Sequence, residues 1–266
     1  MAAFNEQDLQ QALEATGIRP GSLILVHSAL FALGRMEGVS IGAIPARIYD
    51  VLRHHLGAEG TVAVPTFNFD FCDGVAFHRQ HTPSVAMGAF SEFVRQLPQS
   101  RRSPHPLQSL AAIGPLSKTL AERDTPGAFE PGGSFDALLE HDVTIVMLGC
   151  GINAVSLVHW AEERVGVPYR YWKSFSGHYR DGRWTGHRTY RLYARDLVRD
   201  PEVRVEPVGS VLEQRGQWRR APLGNAALEA CQGRHFTAAA VSLLQKDPTS
   251  LIRSQPRQQR RPRATG

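Results

Sequence analysis

The 266-residue sequence predicts a layered α/β/α domain with a mainly parallel central sheet. Three observations carry that expectation. Short apolar runs of strand length alternate along the chain with segments of helical periodicity, the pattern of a sheet covered by helices. The run "VTIVMLGCGINAVSLVHWAEERVG" is the clearest unit: an apolar strand, a glycine turn, then a helix. The composition, 42% hydrophobic and 21% charged, is that of a globular chain.

The elements follow in order. "EQDLQQALEATG" reads as a helix, because Leu9, Leu13 and Ile18 recur on roughly one face. "RPGS" breaks it, and "LILVHSAL" is a buried strand. "GVSIGAIPARIYDVLRHHLG" places Ile44, Ile48, Val51 and Leu56 at helical spacing, with Gly57 as its cap. "GTVAVPTFNF" is a second strand, whose β-branched residues stop at Pro65. Residues 70–84, "DFCDGVAFHRQHTPS", form a polar loop longer than most connections, which marks it as a functional candidate. A helix over "MGAFSEFVRQLP" precedes the proline-pinned loop "RRSPHPLQSL", the strand "SLAAIG" and a helix around "LSKTLAER". "TPGAFEPGGSFDALLEHD" is a Gly/Pro-rich loop ending in an amphipathic turn. In the strand–turn–helix unit Asn153 is placed to cap the helix. "RDGR" is a hairpin turn within an aromatic, Arg-rich stretch, and the remainder to about Leu251 reads as helical. One domain is expected over residues 1–252, followed by a basic tail, 253–266, of disordered composition.

The net charge of +5 comes from that tail. It holds five arginines and no acid, and without it 25 basic residues face 25 acidic ones. A formally neutral body argues against a nucleic-acid partner. No apolar run approaches the roughly 18–20 residues of a membrane span. Cys72, Cys150 and Cys231 are odd in number and far apart, which suits reduced thiols. The N-terminus lacks a basic region followed by an apolar one, so a cytoplasmic location is expected. No metal is expected: there is no H-E-x-x-H, and His54–His55 and His78/His81 lack convincing partners.

Gly149-x-Gly151-x-x-Ala154 superficially matches a dinucleotide fingerprint, but "VPYRYWKS", about 20 residues on, has no acid for a ribose hydroxyl. A tight turn is the simpler reading. Cys150 in that turn is a candidate nucleophile, yet Leu148 and Ile152 stand where an elbow needs glycines. His159 is the stronger candidate. Glu162 and Glu163 follow it at i+3 and i+4, and a carboxylate beside an imidazole fixes its tautomer and raises its basicity. A structural histidine is the alternative. In the proline loop, Pro104 and Pro106 pin the backbone around His105, while Arg101 and Arg102 carry the guanidinium forks that meet phosphates.

"LVHSALFALGRMEG", "GTVAVPTF", "TPSVAMGAFSEFVRQLPQSRRSPHPLQSLAAIGP", "PGGSFDALL" and "VMLGCGINAVSLVHWAEE" together resemble the aminoglycoside 3-N-acetyltransferase family. They run in family order from about Leu23 to Glu163, with a fainter match through Leu244. The resemblance implies acetyl transfer from acetyl-coenzyme A to a small-molecule amine, without metal and with a homodimer left open. It places the catalytic histidine at His159 in "S-L-x-H-x-A-E-E", with Glu162 or Glu163 beside it and His105 in an active-site wall. It places His27, Ser28 and Arg35 on the coenzyme A side, joined by Arg102 and Ser103. A neutral histidine suits an amine that must shed a proton to attack, so direct transfer in a ternary complex is expected, with Cys150 dispensable.

The acceptor side departs from the family. Aminoglycosides are polycations, but "YRYWKSFSGHYRDGRWTGHRTYRLYARD" is rich in arginine, with one lysine and only two acids. Arg170 and Lys173 there suit a nucleotide-linked amino sugar, whereas Asp70 would suit a cation. Two other readings compete: a Cys150-dependent acyl hydrolase, and a non-catalytic anion- or nucleic-acid-binding protein working through its tail.

Overall fold

The computed structural model describes residues 3–196 and 202–253. Its main elements are α1 (Glu6–Ala15), β1 (Leu23–Ser28), α2 (Ile44–Leu56), β2 (Thr61–Pro65), α3 (Gly88–Gln96), β3 (Arg101–Arg102), β4 (Leu110–Ile113), α4 (Ser134–Glu140) and β5 (Thr144–Leu148). They continue as α5 (Val158–Val165), β6 (Arg170–Asp181), β7 (Trp184–Arg195), α6 (Glu206–Gln214), β8 (Trp218–Leu223), β9 (Ala226–Gln232) and α7 (Gly233–Lys246).

Seven strands form the central sheet in the order β8-β9-β5-β1-β2-β4-β3. β1 runs parallel to both β5 and β2, while the outer pairings are antiparallel. Five strands therefore share one direction, and β9 and β4 are reversed. Alternation along β1 divides the core. Leu23 and Leu25 pack with Ala63, Ile145 and Met147 beneath α4, α5, α6 and α7. Ile24 and Val26 pack with Val62, Val64, Val146 and Leu148 beneath α1, α2 and α3. This is the expected α/β/α layering, with both faces of the parallel strands buried.

The long hairpin β6–β7 lies outside that sheet. Its two-residue turn falls at Gly182–Arg183 as "RDGR" implied, and it seals a small cluster of Phe71, Phe77, Leu107, Tyr179 and Tyr190. Two expectations are corrected. The region before Leu251 is not helical throughout: α6 and α7 flank the hairpin β8–β9. Its "GN" turn, with Gly224 at φ 59, was the readable signal, hidden by alanines and arginines that blur the alternation. Asn153 does not cap α5, which starts at Val158 after a short turn at Ile152–Ala154. Its side chain instead donates to Glu206 Oε1 (2.9 Å) and accepts from Val205 N–H (2.7 Å), tying down the start of α6. Beyond Arg253 the basic tail lies outside the described residues. No described helix is long and apolar enough to cross a membrane.

Candidate active site

The carboxyl ends of the parallel strands β1, β2 and β5 converge on one side of the sheet, the usual place for a ligand in such a fold. β1 delivers His27 and Ser28 there, and β2 delivers Pro65 and then Phe67. At the end of β5 the chain turns at Gly149, φ 73, where a Cβ would lie 2.8 Å from the Ala29 carbonyl oxygen. Only glycine passes that close, and the turn carries the chain on to Ser156 and α5.

α5 places the reactive pair one turn apart. His159 Nδ1 lies 2.6 Å from Glu162 Oε2, at the i+3 spacing read from the sequence. A carboxylate only accepts, so Nδ1 donates to Glu162 and Nε2 is the ring nitrogen turned away from it. Glu162 is fully buried. It also accepts from Tyr169 O–H at 3.0 Å and pairs with Arg170 Nε at 2.9 Å. Burial by itself would raise its pKa; the His159 hydrogen bond and the charges of His159 and Arg170 outweigh that and hold it below the usual carboxylate value. The Phe129 ring stands edge-on to His159 at 5.7 Å, and Trp160 Nε1–H donates to Asp136 at 2.9 Å, fixing α5 against α4. His159 thus presents one free nitrogen on a braced ring with about a quarter of its side chain open.

Three neighbouring cavities lie on this side of the sheet, and His159 lines two of them. A reaction cavity of about 400 Å³ is lined by His27, Ser28, Met87, Gln108, Ser156 and His159, among others. A largely apolar cleft of about 870 Å³ joins it through Ser28 and Ala86, and carries Arg35 with the exposed Phe31 and Ile41. Ala86 is held at φ 60, a conformation L residues seldom adopt, at that junction. A third cavity of about 710 Å³ shares Phe69, Gln108, His159 and Val203 with the reaction cavity and holds Arg170, Lys173, Arg195 and Glu202. Of the residues picked from sequence, His27, Ser28, Arg35, His159, Arg170 and Lys173 line these spaces. Glu162 stands directly behind them.

His27 is deeply buried, and burial pushes its pKa down to about 3, so it is neutral. Its Nε2 and the Ser28 Oγ have no partner among the described residues. The other candidate site residues read from the sequence lie outside these cavities. His105 lines none of the three cavities. Its Nδ1 accepts the Gln108 N–H (3.1 Å), and its Nε2 lies 3.2 Å from both the Pro126 and Arg191 carbonyls, so both nitrogens are engaged by backbone. Burial drives its pKa down to about 4, and its ring contacts brace the loop. Arg102 does not line the 870 Å³ cleft. It is 1% exposed and donates to Ser109 Oγ and to the Thr66, Thr82 and Arg79 carbonyls. Ser103 Oγ accepts the Leu110 N–H. The Arg102 guanidinium, one of those the sequence offers to a phosphate, is thus taken up by Ser109 and by carbonyls of its own fold.

Asp70 is exposed and bonded to Asn68, away from the three cavities. Glu163 points to Glu130, Arg170 and Arg191; burial and then the Glu130 charge push its pKa up to about 8. Glu162, not Glu163, is the carboxylate that orients His159. Burial pushes the Cys150 thiol up to about 12, which leaves it without the thiolate a nucleophile needs. Sequence reading missed Gln108, Phe69 and Val203, which become neighbours of His159 only through folding. Gln108 was the readable one: a lone polar side chain between Leu107 and Ser109 in a proline-stiffened loop.

The model of the aminoglycoside 3-N-acetyltransferase family matches residues 25–245. An aminoglycoside N(3)-acetyltransferase III of Serratia marcescens is 31% identical over 174 residues, 59% of this chain and 63% of that protein. The chain thus spans less than two thirds of that relative's length. Among solved structures, AAC-IIIb in binary complex with CoASH superposes with a TM-score of 0.78 at 22% identity, covering 96% of this chain and 100% of that one. AAC-VIa bound to sisomicin gives 0.76 at 21% identity, with 92% and 98% covered. These neighbours share the fold, and the family model spans most of the sequence. The chain belongs to the aminoglycoside 3-N-acetyltransferase family.

Proposed function

We propose that this chain transfers an acetyl group from acetyl-coenzyme A to the primary amine of a small amino-sugar acceptor, directly in a ternary complex, with His159 as general base. One observation carries the reading: three contiguous cavities with the buried-carboxylate–histidine pair at the opening between two of them. Acetyl-coenzyme A, when bound, supplies the acetyl thioester, so that an amide bond forms as the C–S bond breaks and coenzyme A leaves as a thiol. The 870 Å³ cleft fits a donor of that kind. Its apolar walls suit a flexible aliphatic arm, and Arg35 in its lining suits phosphate.

His159 Nε2 takes the proton the amine must shed, and Glu162 stabilises the imidazolium so formed, a contribution of about 10²–10⁴ in rate. Cys150 takes no part. On the acceptor side, Arg170 is paired with Glu162, and Lys173 and Glu202 line the same cavity with Tyr171 and Phe175. A wall of that kind, with no excess of acid, suits a neutral or anionic acceptor, such as a nucleotide-linked amino sugar, better than a polycation. The free thiols of Cys72, Cys150 and Cys231 fit a reducing, cytoplasmic location.

The test is His159→Ala in the full chain, followed by thiol release and by melting. Turnover should vanish while coenzyme A still raises the melting temperature, since ligand at about 100 times Kd adds about 2.7 kcal/mol. Turnover retained in His159→Ala but lost in Cys150→Ala would overturn the reading.

A further inference from the structure

We propose that Gln108 is an acceptor-binding residue: its carboxamide, at the opening shared by the reaction and acceptor cavities, holds the amine-bearing group of the acceptor opposite His159. The proposal rests on the acyl-transfer reading above. Four residues line both cavities, and two of them, Phe69 and Val203, offer only apolar contact. The polar side chains at that opening are therefore His159 and Gln108.

Gln108 is 6% exposed, yet only its backbone N–H is bonded; its carboxamide has no partner among the described residues. Unlike the enclosed Ser156 Oγ close by, the amide is not sealed off, and it opens onto the cavities it lines. An amide with nearly all of its residue buried and no protein partner has its hydrogen-bonding groups left for whatever occupies the cavities it lines. The loop is also held stiffly: Pro104 and Pro106 restrict it, and His105 joins the Gln108 backbone to the Pro126 and Arg191 carbonyls. His105 is thus a positioning residue for Gln108, which accounts for a histidine fixed so firmly outside the cavities.

Gln108 belongs to the acceptor side. It does not border the donor cleft, whose links to the reaction cavity are Ser28 and Ala86. An attacking amine must give one proton to His159 while its lone pair faces the acyl carbon. Gln108 Oε1 can accept a second N–H of that amine, and Nε2 can donate to an oxygen on the adjoining carbon. A neutral amide selects by hydrogen bonding and not by charge. The acceptor class it fits is a vicinal amino alcohol, an amine with a hydroxyl next door.

The experiment uses Gln108→Leu and Gln108→Asn in the full chain. Thiol release is followed at saturating acetyl-coenzyme A with sisomicin, glucosamine 6-phosphate and UDP-glucosamine, and each variant is melted without ligand. Gln108→Leu should raise the KM of the best acceptor at least tenfold and leave the acetyl-coenzyme A KM within twofold. Gln108→Asn should recover part of the acceptor KM. An unchanged acceptor KM in both variants, or a change confined to the acetyl-coenzyme A KM, overturns the proposal. Should the leucine variant not fold, the asparagine variant decides: an acceptor KM at the wild-type value overturns the proposal, and a raised one supports it. Absence of wild-type turnover with every acceptor would overturn the acyl-transfer reading, and this proposal with it.

Discussion

Replacing Glu162 by Gln is the sharpest perturbation of this site, because it removes a charge and almost nothing else. The carboxylate is fully buried, 2.6 Å from His159 Nδ1 and 2.9 Å from Arg170 Nε. With the imidazolium and carboxylate charges about 4 Å apart and an effective dielectric of about 20, their attraction is about 4 kcal/mol. Arg170 competes for the same carboxylate, so about half of that, roughly 2 kcal/mol, is a fair lower figure. Since about 1.4 kcal/mol is a factor of ten, kcat should fall by about thirtyfold to a thousandfold. The KM of an uncharged acceptor should move less than kcat, because Glu162 lines none of the three cavities, whereas a charged acceptor also meets Arg170 freed of its counter-charge. The variant also leaves the half-buried Arg170 without its counter-charge, which should lower the midpoint in a chemical denaturation series.

The pH dependence has a definite sign. The folded pKa of Glu162 is depressed, so the stability it contributes is present above the ordinary carboxylate value and is lost as pH falls through the folded value. Glu162→Gln should be free of that acid-side loss. A variant that keeps more than half of wild-type kcat, in thiol release at saturating substrates, would refute the role assigned to Glu162.

The remaining predictions contrast with it. Glu163→Gln should leave kcat near wild type at pH 7. The folded pKa of Glu163 is raised to about 8, so the wild type loses stability as pH rises from the unfolded value toward 8; the variant should recover up to a few kcal/mol at pH 9, read from denaturation midpoints. Cys150→Ala should turn over within twofold of wild type, because the thiol is protonated at neutral pH; a loss of activity would revive the acyl-enzyme alternative. Arg102→Met leaves the Thr66, Thr82 and Arg79 carbonyls without their donor, and should destabilise by about 3–5 kcal/mol without a selective change in the acetyl-coenzyme A KM. A selective rise in that KM, at unchanged stability, would return Arg102 to the donor side.

The sequence by itself determined the strand–helix alternation, the glycine turn after Leu148, the "RDGR" hairpin and the His159–Glu162 spacing. Each is a local signal: periodicity, the freedom of glycine at positive φ, and the i+3 geometry of one helix turn. It could not separate Glu162 from Glu163. Both follow His159 by about one turn, and only the packing of Tyr169 and Arg170, brought back after the left-handed Gly166, selects Glu162. It could not show that Arg102 and His105 turn inward, since a polar side chain in a loop reads as solvent-facing until the carbonyls that satisfy it are in place. Nor could it bring Gln108, Phe69 and Val203 to His159, because they come from segments separated by tens of residues. Cavities belong to the joining of such segments, and the charge of their walls follows from which long side chains are already paired. That is why the tertiary structure, and not the composition of the Arg-rich stretch, decides what faces the acceptor.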